Sequence, residues 1–441
     1  MKVVIINKSD STGGAAVVSY RLMEALRKEG VDAYMLVCEK ISNSPYVHLA
    51  ANKMTIQRNF FTERLKIFIS NGFNRKTLFK IDTGDEGLPL WRHPLVKNAD
   101  AILLNWINQG MLSLKGVNKI LRLGKPVVWT MHDMWCMTGI CHHAGTCNHF
   151  KKECGDCPLL GAKAFPDDLS HKIHERKSHI FSDKDLMNKM AFVAVSSWLK
   201  SKAKESSLLY DRCVEVIPNA FDIKSISSPK KKNHDKVRIL FGAARLDDPI
   251  KGLDTLRETS QILKKRFPDE AGNMEIAMFG NIKDSSMLRG FGLPLVMLGV
   301  LQGENEIRKA YEAADILVSA SSYETLPGTL VEAQAYGCVP VSFNQGGQSD
   351  IIKSGIHHSS SSHAKELSDL DLGIITRYSE NMEIRAHNLA EGIIKALSIV
   401  QDKELHAKTL QAMRVNVENS FSYHIVAQNY ISLIEKLMSI D

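Results

Sequence analysis

No stretch of eighteen or more apolar residues occurs in this chain of 441 residues, so nothing in it reads as a membrane-spanning helix. A secretory h-region is lacking as well: the opening Met1-Lys2-Val3-Val4-Ile5-Ile6-Asn7 is too short for one and reads as a buried strand. The net charge of +7 comes with no RNA- or DNA-binding module signature, which argues against a nucleic-acid partner. Cysteine is sparse at eight residues, with a single tight C-x2-C pair. With neither a span nor a leader legible, a cytoplasmic protein is expected, in a compartment where thiols stay reduced.

What is present suits an ordinary globular protein, 44% apolar and 24% charged, and its length suits two domains rather than one core. Strand-like and helix-like segments alternate. Strands are expected at 3–6, 31–37, 101–104, 127–131 and 192–195, with a helix at 16–28 closed by Gly30. A polar, basic stretch at 225–236, including Lys230-Lys231-Lys232, reads as a linker. The alternation then resumes with strands at 237–241, 275–279, 296–300, 316–320 and 339–343. Two α/β, doubly wound parallel sheets follow from that order. The Ser- and His-rich segment 354–368 reads as a mobile loop or a tolerated surface insertion, and helical periodicity runs from 380 to 441.

Between 58 and 80 the cations Arg58, Arg64, Lys66, Arg75, Lys76 and Lys80 outnumber the lone acid Glu63 and interleave with aromatic and aliphatic residues. Two readings stand: a membrane-surface face, or a core helix with solvated cations on its outer side.

Chemistry is concentrated in three places. Glu324 and Glu332 flank Pro327-Gly328-Thr329-Leu330, where a loop enters a helix after an apolar strand. Free N–H groups of Gly328, Thr329 and Leu330 form an anion cradle, and acids on either side can take pairs of hydroxyl hydrogen bonds, which suits a diphosphate with polyhydroxylated ends. Upstream, Arg245 and Lys251 lie on a Gly-bounded loop leaving a strand, either converging on one diphosphate or solvated on a turn. In the first half, Gly13 and Gly14 let a backbone approach a phosphate after the first strand, and His132 ends the strand 127–131. That histidine either meets a ligand hydroxyl or is satisfied within its loop.

Cys141, Cys147, Cys154 and Cys157 form C-x5-C-x6-C-x2-C, with Cys136, His142, His143 and His149 close by. Four thiolates suit a structural Zn²⁺; reduced buried thiols or two disulfides are the rival readings.

Taken in this order, the motifs resemble the donor-binding half of a retaining GT-B glycosyltransferase of family 4, in the subset with a Cys-rich loop, and the resemblance spans nearly the whole chain. It implies two Rossmann-like domains facing across a cleft: an acceptor-side domain at 1–218 with its Cys-rich loop at 136–158, a nucleotide-sugar domain at 219–421, and a last helix at 422–441 crossing back to the first. It implies that Gly13, Gly14, Arg245, Lys251, Gly328, Thr329, Leu330 and Glu332 hold the donor, Glu332 through the ribose. Glu324 and His132 would stand at the sugar and, with Arg245 and Lys251, carry catalysis.

The family's usual histidine before Trp106 is here Asn105. No D-x-D motif follows a strand, and the cations can meet the leaving diphosphate, so no catalytic metal is expected. The expected reaction moves a sugar from a UDP- or GDP-sugar to a saccharide or lipid-linked saccharide, with retention, in surface polysaccharide synthesis at the inner face of the cytoplasmic membrane. A sugar-nucleotide epimerase, which needs no acceptor, and a non-catalytic sugar- or nucleotide-binding subunit are the alternatives.

Overall fold

The computed structural model describes residues 1–222, 235–352 and 372–440. The expected loop at 354–368 and the linker up to residue 234 lie outside the described residues. The chain divides into two units, Met1–Asp222 with Tyr423–Asp441, and Ile223–Ser422.

In the first unit, β1 (Lys2–Ile6), β2 (Asp32–Val37), β3 (Val47–Leu49), β4 (Ala101–Leu104), β5 (Val127–Met131), β6 (Met190–Ala194) and β7 (Val214–Val216) form one parallel sheet. Its order is β3-β2-β1-β4-β5-β6-β7. The central strands β4, β5 and β6 are buried at every position, as a sheet covered on both faces requires. One cover is the helix Gly14–Lys28; beside it the helix Tyr423–Met438 returns from the end of the chain. Tyr423, Val426, Tyr430, Leu433 and Ile434 share a core with Leu22, Met23 and Leu26, and Tyr430 and Thr130 join hydroxyls at 2.8 Å.

The helix Lys53–Ser70 corrects the core-helix reading of this region. It buries Asn59, Glu63, Arg64 and Ile67, while Phe61 is 65% and Leu65 59% exposed. Two contacts set this orientation. At Gly110 a Cβ would stand 2.7 Å from the backbone of Asn59, so the loop after β4 can approach this face only as glycine. Arg64 then reaches through to donate to the Leu78 carbonyl at 2.7 Å and to Asp82 at 2.8 Å. Burial and the neighbouring Asp82 carboxylate push the Glu63 carboxyl up to about 10, so Glu63 stays protonated beside the Arg64–Asp82 pair.

The second unit carries β8 (Val237–Arg245), β9 (Met274–Asn281), β10 (Leu295–Gly299), β11 (Ile316–Ser319), β12 (Val339–Phe343) and β13 (Ile374–Thr376), all parallel, in the order β10-β9-β8-β11-β12-β13. Leu253, Leu256 and Leu263 of the helix Leu253–Arg266 meet Leu389, Ile393 and Leu397 of the helix Met382–Gln401 over β8 and β12. The long periodic stretch at the end of the chain is three helices. Asp402 ends the first and caps the second, Lys403–Phe421, by accepting from the amides of Glu404 and Leu405 at 3.0 Å.

Candidate active site

Strand order reverses once in each sheet, between β1 and β4 and between β8 and β11. Open α/β sheets bind ligands beyond the C-terminal strand ends at such points.

In the second unit that place holds the residues singled out from sequence. The loop after β8 is stitched to the loop after β11: the Ser322 amide donates to the Ile250 carbonyl at 2.9 Å. Gly252 stands at φ 74°, where a Cβ would lie 2.2 Å from the Ala320 carbonyl oxygen. That approach brings Lys251 Nζ to 2.6 Å from Glu324 Oε1. Glu324 is in turn fixed by its backbone, which bridges to Gly346, while its carbonyl accepts the Gly347 amide at 3.0 Å. Arg245, at the end of β8, is engaged by Asp247, Nε to Oδ1 at 3.0 Å.

The helix Gly328–Tyr336 begins at this point with Pro327 as its N-cap. Glu332 falls in its second turn, not its first, because the helix starts only at Gly328; its Oε2 accepts the Tyr311 hydroxyl at 3.0 Å. The amides of the first turn are not equivalent either. Leu330 N–H turns back to the Pro327 carbonyl at 3.1 Å, which leaves Gly328 and Thr329 as the donors at the helix start.

At the switch point of the first unit, Gly13 precedes the helix Gly14–Lys28 with φ 91°, and a Cβ on Gly13 or Gly14 would meet nothing within 4 Å. The positive φ explains Gly13; the open space beside Gly14 is what close approach by a ligand needs. Asp10 of the same loop is a brace: its carboxylate accepts from the Ile41 amide at 2.8 Å and the Ser42 amide at 2.9 Å.

His132 lines a small hollow with Asn105, Thr130, Asn219 and Tyr430. Burial pushes its imidazole down to about 4, against the opposing pull of Asp133, so it is neutral at pH 7. Asn105 is 3% exposed, and neither polar atom of its amide has a partner among the described residues. Sequence reading had seen only that a histidine was missing there.

A second group that sequence reading missed is the brace behind His132. Asp133 Oδ2 accepts from Trp106 Nε1 at 2.9 Å and meets His142 Nδ1 at 2.7 Å, and Oδ1 accepts the Trp135 amide at 2.8 Å. Burial pushes the Asp133 carboxyl up, but the charge and hydrogen bond of His142, with the Trp135 amide, outweigh it and hold the group well below the ordinary carboxylate range. The only hint in sequence was His142 beside the cysteines.

The Cys-rich loop keeps all its thiols free, so the disulfide reading is corrected. Cys141, Cys147, Cys154 and Cys157 share one locale, each within electrostatic reach of the other three. Burial pushes Cys141 up to about 12 and Cys154 to about 11. Cys154 Sγ accepts the Gly139 amide at 3.1 Å, and Asp168 Oδ2 accepts the Cys157 amide at 2.8 Å. A fully buried ammonium, Lys177, donates to the carbonyls of Thr138 at 3.0 Å and Gly139 at 2.9 Å beside them. Among the described residues no three His, Cys, Asp or Glu side chains are already drawn together as a metal cage.

Residues 237–370 match the family described as Glycosyl transferases group 1. Over 365 residues the chain is 25% identical to WcaC of Escherichia coli K12, a protein assigned to colanic acid biosynthesis as a glycosyl transferase, covering 77% of this chain and 82% of that one. A glycosyltransferase from Rickettsia africae ESF-5 superposes with a TM-score of 0.61 at 15% identity, over 100% of this chain and 99% of that one. HepE of Anabaena, solved in complex with UDP-glucose, superposes with a TM-score of 0.54 at 13% identity, over 99% and 100% of the two chains. With two parallel sheets reversing at equivalent points, a matched group 1 domain and relatives of this kind, the chain is a glycosyltransferase of the GT-B fold.

Proposed function

We propose that the chain is a retaining family 4 enzyme that transfers a sugar from a nucleoside-diphosphate sugar to a saccharide or lipid-linked saccharide in surface polysaccharide assembly. The observation that carries this reading is the Lys251–Glu324 contact of 2.6 Å, set at the β8–β11 switch point next to the start of the helix Gly328–Tyr336. A cation, helix-start amides and two carboxylates in that arrangement fit a diphosphate with a hydroxyl-bearing group at each end. A UDP-sugar is the favoured donor, since HepE is solved with one, and the role assigned to WcaC favours a polysaccharide acceptor.

Cleaving the sugar–phosphate bond builds positive charge at the anomeric carbon and negative charge on the leaving diphosphate. Lys251, Arg245 and the amides of Gly328 and Thr329 would meet the second charge, and they supply what a divalent cation would otherwise supply. Donor binding would draw Lys251 from Glu324 toward phosphate, freeing that carboxylate for the sugar and the face where positive charge develops. Glu332, oriented by Tyr311, would take the ribose hydroxyls. In the first unit, the open backbone at Gly13 and Gly14 would itself suit a phosphate. On the acceptor side, Asn105 and the neutral His132 would hold hydroxyls. The four loop thiols suit a structural Zn²⁺ by kind, and bound metal would supply only a cross-link to the loop.

A panel of UDP- and GDP-sugars in a thermal-shift assay, followed by transfer assays and anomer analysis of the product, tests the reading. Donor should raise the melting temperature, Glu332→Ala should raise KM by about tenfold, and Lys251→Ala should lower kcat by roughly a hundredfold. Wild-type kinetics in both variants would remove the site assignment. An inverted product would make His132 a base on the opposite face, and donor conversion without acceptor would favour an epimerase.

A further inference from the structure

The helix Lys53–Ser70 and the turn after it display apolar side chains to solvent in a pattern that packing within the chain does not use. Met54, Phe61, Leu65 and Ile69 recur at spacings of seven, four and four, which is one face of an α-helix. All four are exposed, Met54 by 81%, and Phe73 and Phe79 beyond the helix are exposed by 66% and 58%. Asn59, Glu63 and Ile67 occupy the opposite, buried face. An ordinary surface helix has the reverse arrangement. The backbone also holds Phe73 at φ 64°, a conformation costly for a bulky side chain, and the ring is nonetheless left in solvent.

Around this stripe the cations Lys53, Arg58, Arg75, Lys76 and Lys80 are exposed, while the single acid between 53 and 80, Glu63, is buried and protonated. The face is therefore apolar with a cationic border, and the Glu86 carboxylate that reaches the helix is paired with Lys66. A protein partner would have to be both apolar and acidic along the same strip. A bilayer with anionic headgroups offers both at once, an acyl layer for the rings and phosphates for the border.

We propose that this face docks the protein on an anionic phospholipid bilayer, with Phe61, Leu65, Ile69, Phe73 and Phe79 entering the interface and the cations on the headgroups. The site is distinct from the donor site and does not depend on the reaction assigned above. The inward side of the same helix is tied through Arg64 to Asp82, so the seated face has a rigid backing.

Flotation of the full-length protein with vesicles of phosphatidylcholine, alone or mixed with phosphatidylglycerol, tests the proposal. The protein should float with the mixed vesicles at low salt, far less with phosphatidylcholine alone, and binding should fall several-fold as salt rises. Phe61→Ser combined with Leu65→Ser and Phe73→Ser should cut binding by about tenfold, with an unchanged melting temperature because all three are exposed. Arg75→Glu with Lys76→Glu is a second, charge-only variant and should abolish the preference for the anionic lipid. Wild-type protein that ignores both vesicle types would overturn the proposal. So would a triple variant that floats like wild type, or a wild-type dimer that the triple variant turns into a monomer without any vesicle binding.

Discussion

A histidine that stays neutral at pH 7 can accept or donate a hydrogen bond to a hydroxyl without adding charge to the site, and burial gives His132 that state. Its imidazole, like that of His174, is pushed from 6.5 down to about 4. The unfolded chain therefore takes up protons first as pH falls, and the folded state loses stability between about 6.5 and 4. Urea midpoints measured across that window should decline, and His132→Asn should flatten part of the decline, since an amide has no proton to gain. Single residues were the least legible scale. Glu324 and Lys251 could be named from their loops, but their contact required the strand order that places those loops side by side. Asn105 showed only as a substitution until its buried amide had an address.

Elements were easier to read, in proportion to how much of each is buried. The strands at 101–104, 127–131 and 339–343 have the bounds read from sequence, since a strand covered on both faces is a continuous apolar run. The edge strands β3, β7 and β13, three residues each, leave too short a pattern to see. The helix Lys53–Ser70 could not be oriented from composition, because its buried side is the charged one. For the Cys-rich loop, elemental analysis of protein purified without a metal-binding tag should find about one zinc per chain, with tetrahedral sulfur coordination in its absorption spectrum. Chelation should lower the melting temperature by several degrees, roughly the effect of losing a cross-link of a few kcal/mol. Cys147→Ser should do the same without added chelator. Metal-free protein of unchanged stability would return the cluster to buried thiols, which Lys177 and the Gly139 amide already accommodate.

At the scale of the whole molecule, the two doubly wound sheets were legible from alternation alone, because each strand–helix repeat is a unit of parallel sheet. The assignment of the last helix was not: its periodicity is continuous with that of two helices in the other unit, and only the family resemblance pointed it back to the start of the chain. Its apolar side chains complete the first unit's core. Removing residues 423–441 should therefore abolish cooperative melting of the first unit and expose dye-binding apolar surface, while the second unit keeps its own core. A truncated protein with an unchanged melting curve would contradict that role.

During synthesis, this arrangement puts the order of completion at odds with the order of translation. The sheet encoded first must wait for a helix made after the whole second unit, whereas everything the second unit needs has been synthesised by then. The amino-terminal half thus spends most of translation with Leu22, Met23 and Leu26 uncovered, and a nascent chain stalled before residue 423 is the species on which a chaperone would find the most to hold.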